Sequence, residues 1–107
     1  MTRVTLYRNA RGDITGFSCK GHSGYAEEGS DIVCAAVSAL SITCANALCS
    51  VAGLEPETTE KDGFLTVRLR EEQPSHDSQV ILRTFEQGIS DMAASYPKYI
   101  SFTALVK

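Results

Sequence analysis

Cys34 and His22 are the two residues of this chain whose types and placement suit nucleophilic chemistry. If Asp31 caps the helix that follows it, Cys34 is the third helical residue. A thiol there sits beside unpaired backbone N–H groups and the positive end of the helix dipole, both of which favour thiolate. The same N–H groups can hold the oxyanion of a tetrahedral intermediate. The negative charge of Asp31 partly opposes that activation. A thiol nucleophile also needs a proton acceptor. His22, at the junction of a strand and a glycine-rich loop, is preferred over His76, whose place at the start of a later helix is ordinary for an exposed polar residue. Asp31 can orient His22, although capping alone accounts for it. Ser38 falls one turn after Cys34 on the same helix face, within reach of the thiol, a substrate group or its own backbone.

The elements that position these residues follow from periodicity and turn chemistry. Val4, Leu6 and Arg8 mark an alternating strand, Asn9 to Asp13 reads as a turn, and Ile14 to Lys20 as the second strand of a hairpin. The segment from Gly21 to Ser30, with three glycines and no period, reads as a loop. Asp31, with Ser30 as its rival, caps a helix running to about Ala52, where Gly53 suits a left-handed terminus. That helix is apolar nearly all round, so packing on more than one side is expected. Glu57 to Lys61 and Phe64 to Arg70 form a second hairpin about Asp62-Gly63. Pro74-Ser75 opens a helix striped by Ile81, Phe85, Ile89, Met92 and Tyr96, which Pro97 stops. Tyr99 to Val106 is a last strand. The order ββαββαβ implies an α+β two-layer sandwich, a mostly antiparallel sheet with two helices on it.

Bulk properties narrow the function. A chain of 107 residues, 43% hydrophobic and 21% charged, makes one globular domain, residues 1–107. A net charge of −3 argues against a nucleic-acid surface built on bulk positive potential. The N-terminal residues carry no signal-peptide core. The uncharged stretch from Ile32 to Ala52 is interrupted by Ser38, Ser41, Thr43, Asn46 and Ser50, as in a core helix rather than a bilayer span. The expected compartment is therefore the cytoplasm, where thiols stay reduced. Cys19, Cys34, Cys44 and Cys49 contain no C-x-x-C pair, and only two histidines could complete a site, so no metal is expected. Apart from Cys34, the cysteines read as small buried hydrophobes.

Two dense motifs sharpen this reading. Gly21-His22-Ser23-Gly24-Tyr25-Ala26, followed by Gly29-Ser30-Asp31-Ile32-Val33-Cys34-Ala35-Ala36-Val37-Ser38, resembles the signature of the ribosomal-processing cysteine proteases (Prp). In that family a G-H-A-G-Y-A-like stretch precedes a D-I-V-C-A-A-V-S helix start. The resemblance implies His22 as the catalytic histidine and Cys34 as the nucleophile of a cysteine peptidase. Ser23 stands where the family usually has alanine, adding a hydroxyl beside the dyad. The resemblance further implies a homodimer without cofactor. Its substrate would be a large-subunit ribosomal protein precursor, from which it removes an apolar N-terminal extension. Direct nucleic-acid or membrane contact is not implied. Gly21, Gly24 and Gly29 would act as hinges closing the loop over that peptide, with Tyr25 as an aromatic contact or an ordinary packing residue.

Two other classes compete. Gly21-His22-Ser23-Gly24 fits the GxxG pattern by which KH domains clamp RNA, which would make the chain a non-catalytic ribosome-associated or RNA-binding module. It follows a strand, however, and its flanks are basic only at Lys20. A thiol sensor would also use a helix-start cysteine, but no resolving cysteine lies two or three residues from Cys34.

Overall fold

The computed structural model describes residues 1–21, 24, 26, 31–71 and 74–107. Its elements run β1 (Thr2–Arg8), β2 (Ile14–Lys20), α1 (Ile32–Ser50), β3 (Glu57–Lys61), β4 (Phe64–Arg68), α2 (His76–Ser95) and β5 (Ile100–Val106). The order ββαββαβ is the one expected, and each boundary lies within two residues of its expected place. The strands form one sheet in the order β3-β4-β2-β1-β5. Every neighbouring pair is antiparallel except β1 and β5, which run parallel.

Local chemistry accounts for the element ends. Asn9 Oδ1 accepts from the N–H groups of Arg11 and Asp13, both at 3.0 Å, which closes the first hairpin as an Asx turn. At the start of α2, Ser75 accepts from Ser78 N–H at 3.1 Å, while Ser78 Oγ accepts from Ser75 N–H at 2.8 Å, a reciprocal capping box. At the end of α1, Leu54 N–H donates back to Leu48 carbonyl at 2.9 Å, six residues bridged around Gly53.

Strand alternation sends Val4, Leu6, Phe17, Cys19, Leu65 and Val67 to one face of the sheet, where all are buried. Both helices cover that face. Phe17 stacks on Phe85 of α2 with ring centroids 4.0 Å apart, at the centre of the core. Two polar clamps fix α2 against the sheet. The Arg8 guanidinium donates to both carboxylate oxygens of Glu86 at 2.9 and 2.8 Å. Gln79 meets the Ile14 backbone in both directions, accepting from its N–H at 2.7 Å and donating to its carbonyl at 2.9 Å. Ile14 thereby gains a side-chain partner for both of its backbone groups.

One expectation is corrected. Helix α1 is not enclosed on several sides; it buries a single stripe, Val33, Val37, Ser41, Cys44, Ala45 and Leu48. Its opposite face is uncharged yet exposed, with Ile32 59% and Ile42 42% accessible. This helix is long and apolar enough to cross a membrane by length and composition, but its buried stripe packs as a domain's core helix does. Cys49, expected in the core, lies on the exposed side.

Candidate active site

Helix α1 begins as the sequence suggests. Asp31 has an extended backbone (φ −81°, ψ 100°), and its Oδ1 accepts from Cys34 N–H at 2.8 Å. Cys34 is thus the third residue of a capped helix, half-buried rather than sealed. The cap decides which helix-start donors remain. Cys34 N–H is held by the Asp31 carboxylate, and Ala35 N–H donates to the Asp31 carbonyl at 3.0 Å. Among the described residues, the N–H groups of Ile32 and Val33 are the helix-start donors that this cap leaves open.

Cys34 opens into a cavity of about 400 Å³. Its roof is the first turns of α1, where Ser38 and Ile42 stand with Cys34. Its floor is the end of the sheet at Thr2, Cys19 and Gly21. Its side wall is the β3–β4 turn, Glu60 to Phe64. The space suits one or two amino-acid side chains of an extended peptide. Gly21 N–H donates to Gly63 carbonyl at 2.7 Å, which ties the start of the glycine-rich segment to the hairpin turn. Gly21 has φ +83°, and a Cβ there would stand 2.9 Å from the Met1 carbonyl oxygen, so the position demands glycine.

The floor of the cavity is polar but inert. Cys19 and Ser41 lie 3.2 Å apart, and Ser41 donates to the Val37 carbonyl at 2.7 Å, so the Cys19 thiol is the donor to Ser41. Burial pushes the Cys19 thiol up to about 11. It therefore stays neutral where Cys34 would react. Thr2 Oγ1 is buried without a hydrogen-bond partner among the described residues. These floor and wall residues escaped the sequence reading because no local signal marks them; Thr2 comes near Gly21 only through the β1–β2 pairing, which aligns the neighbouring Arg3 with Lys20.

Of the residues the sequence singled out, the structure brings together Cys34, Asp31, Ser38 and Gly21. Ser38 is exposed and shares the cavity with Cys34, one turn away. Gly24 is described, with φ +75°, and lies outside the cavity lining. His22, Ser23, Tyr25 and Gly29 lie outside the described residues. Among the described residues no cluster of His, Cys, Asp and Glu could hold a metal ion.

Comparison with known proteins converges on one group. Residues 1–101 match the family model described as cysteine protease Prp. The chain is 28% identical over 101 residues to the ribosomal processing cysteine protease Prp of Staphylococcus aureus, covering 94% of this chain and 95% of that protein. It is 39% identical over 56 residues to the Prp of Bacillus subtilis, a match that spans 52% of this chain and only 50% of that relative. A crystal structure of the Staphylococcus aureus Prp with a covalently linked product peptide superposes with a TM-score of 0.92 at 26% identity. That alignment covers 98% of this chain and all of the other.

Proposed function

Because this chain belongs to the cysteine protease Prp family, we propose that it removes an apolar N-terminal extension from a large-subunit ribosomal protein, with Cys34 as nucleophile and His22 as its base. The carrying observation is Cys34 at the third position of a capped helix, facing a cavity of about 400 Å³. The Cys34 thiolate attacks the scissile carbonyl carbon after His22 takes the thiol proton. The oxyanion that forms is held by the Ile32 and Val33 N–H groups. The C–N bond then breaks, and His22 returns its proton to the leaving amine. Water, deprotonated by His22, hydrolyses the thioester and regenerates the thiol. Asp31 orders the helix start, and Ser38 lies where it can contact the substrate. No cofactor enters these steps.

The enzyme acts in the cytoplasm as a homodimer. The exposed, uncharged face of α1 supports the homodimer, because a second copy would cover Ile32 and Ile42 beside the cavity mouth. Incubation with a peptide spanning the extension should give a single cut. Cys34→Ala and His22→Ala should each lower the rate about 1,000-fold or more. Undiminished cleavage by either variant would refute the dyad, and a monomeric mass by light scattering at micromolar concentration would refute the dimer.

A further inference from the structure

The helices cover one face of the sheet, and the other face carries a charge opposite to that of the whole molecule. The chain has 13 acidic and 10 basic residues. On the uncovered face, however, the register aligns Lys61, Phe64, Lys20 and Arg3 in one row across four neighbouring strands. Arg68 lies two positions from Thr66 on the same face, and Lys107 Nζ sits 4.8 Å from the centroid of the Tyr7 ring. Among the described residues Glu57, opposite Arg68, is the acid that strand alternation places on this face. The ion pairs seen, Arg8–Glu86 and Arg11–Asp13, lie elsewhere.

Arg3 and Lys20 are direct cross-strand partners, both exposed. Like charges in that position repel and weaken the sheet. An anion lying along the row would remove that penalty. Lys20 Nζ stands 5.4 Å from the Phe64 ring centroid, so cation and aromatic surface are presented together. Beside this row runs a second one of hydroxyls, Thr59, Thr66, Ser18, Thr5 and Thr103, of which Ser18 is buried and the other four reach the surface.

We propose that this open face binds single-stranded RNA, with Lys61, Lys20, Arg3 and Arg68 on phosphates and Phe64 as a platform for a base. Cations beside an aromatic on an open sheet face, with hydroxyls to meet sugar and phosphate oxygens, are what single strands require. Leu105 is the exposed large apolar residue that the register puts here, too little to insert into a lipid surface. The Lys61–Arg3 row lies at the cavity end of the sheet, next to Gly21 and Gly63. A peptide cut at Cys34 could thus belong to a protein already on RNA. Lys61 and Phe64 also line the cavity, whereas Arg3, Lys20 and Arg68 do not, so changes at those three separate RNA binding from peptide cleavage.

The test is fluorescence anisotropy with a labelled single-stranded RNA of mixed sequence, about 12 nucleotides long, between 50 and 300 mM salt. Binding should weaken with salt at a logarithmic slope of about −2 to −3, the value for three or four neutralised phosphates. Arg3→Glu with Arg68→Glu should weaken binding more than about 10-fold at 50 mM salt, while Arg11→Glu with Arg83→Glu, an equal change in net charge, leaves it within about twofold. Phe64→Leu should lower affinity severalfold without altering the slope. Lys20→Glu, which sets an acid opposite Arg3, provides a second face variant that the fold tolerates, checked by thermal unfolding. Absence of binding at 50 mM salt would overturn the proposal, as would equal losses in the face and control pairs. So would competition by poly-glutamate as effective as that by RNA, which would assign the face to an acidic protein.

Discussion

The carboxylate of Asp31 accepts the backbone N–H of Cys34 at 2.8 Å, so the residue that starts the helix also restrains the residue that would do its chemistry. Asp31 is buried to 8% accessibility, which removes competing water from that bond. The cap fixes the backbone beneath the thiol and, among the described residues, leaves the two preceding N–H groups open.

Removing this cap should destabilise the fold modestly. Asp31→Ala is expected to lose about 1 kcal/mol, and Asp31→Asn, which caps equally well, only a few tenths. Denaturant unfolding at pH 7 separates the two. Equal stability of Asp31→Ala and wild type would mean that the cap carries no energy.

The four cysteines should divide by accessibility under native alkylation. Cys34 and Cys49 are half-buried and exposed, whereas Cys19 and Cys44 are buried, and burial raises the pKa of both buried thiols. Iodoacetamide should therefore label Cys34 and Cys49 alone until the chain is unfolded. A substrate-length peptide should protect Cys34 and leave Cys49 reactive, as read by mass spectrometry of the digested protein.

Stability should fall at alkaline pH partly through Cys19. Its folded value of about 11 lies above the ordinary 9.0, chiefly through burial, so the native state holds this proton more tightly than the unfolded chain. The resulting stabilisation is complete below pH 9 and is lost as pH rises through 11. Cys19→Ala should be less stable at pH 8 but should show a shallower decline between pH 9 and 11. Parallel curves for the two proteins would contradict this account.

Gly16 should resist even a methyl group. It pairs with Arg68, and a Cβ there would collide with the Val67 carbonyl oxygen and crowd the Arg68 Cα, both rigid backbone. Gly16→Ala must push β4 away from β2, at about 1–3 kcal/mol. Because β4 carries the hairpin wall of the cavity, the same variant should raise KM for a peptide more than it lowers kcat. Unchanged stability would show that the strands separate freely.

The amino-acid sequence by itself determined the elements, their order and the chemical character of the helix start. These are local matters: alternation in β1 and β4, the Asp62-Gly63 turn, the Ser75 cap, and Asp31 three residues before Cys34 all act within a few positions. Only the tertiary structure decided the rest. Thr2 and Cys19 reach the cavity floor, and Glu60 to Phe64 its wall, through pairings between distant strands that no window of sequence contains. Both helices settle on a single face of the sheet, and this leaves half of an apolar α1 uncovered and gathers Arg3, Lys20, Lys61 and Arg68 on the other side. Net charge averages such a surface away, because it counts charges without regard to the register that aligns them.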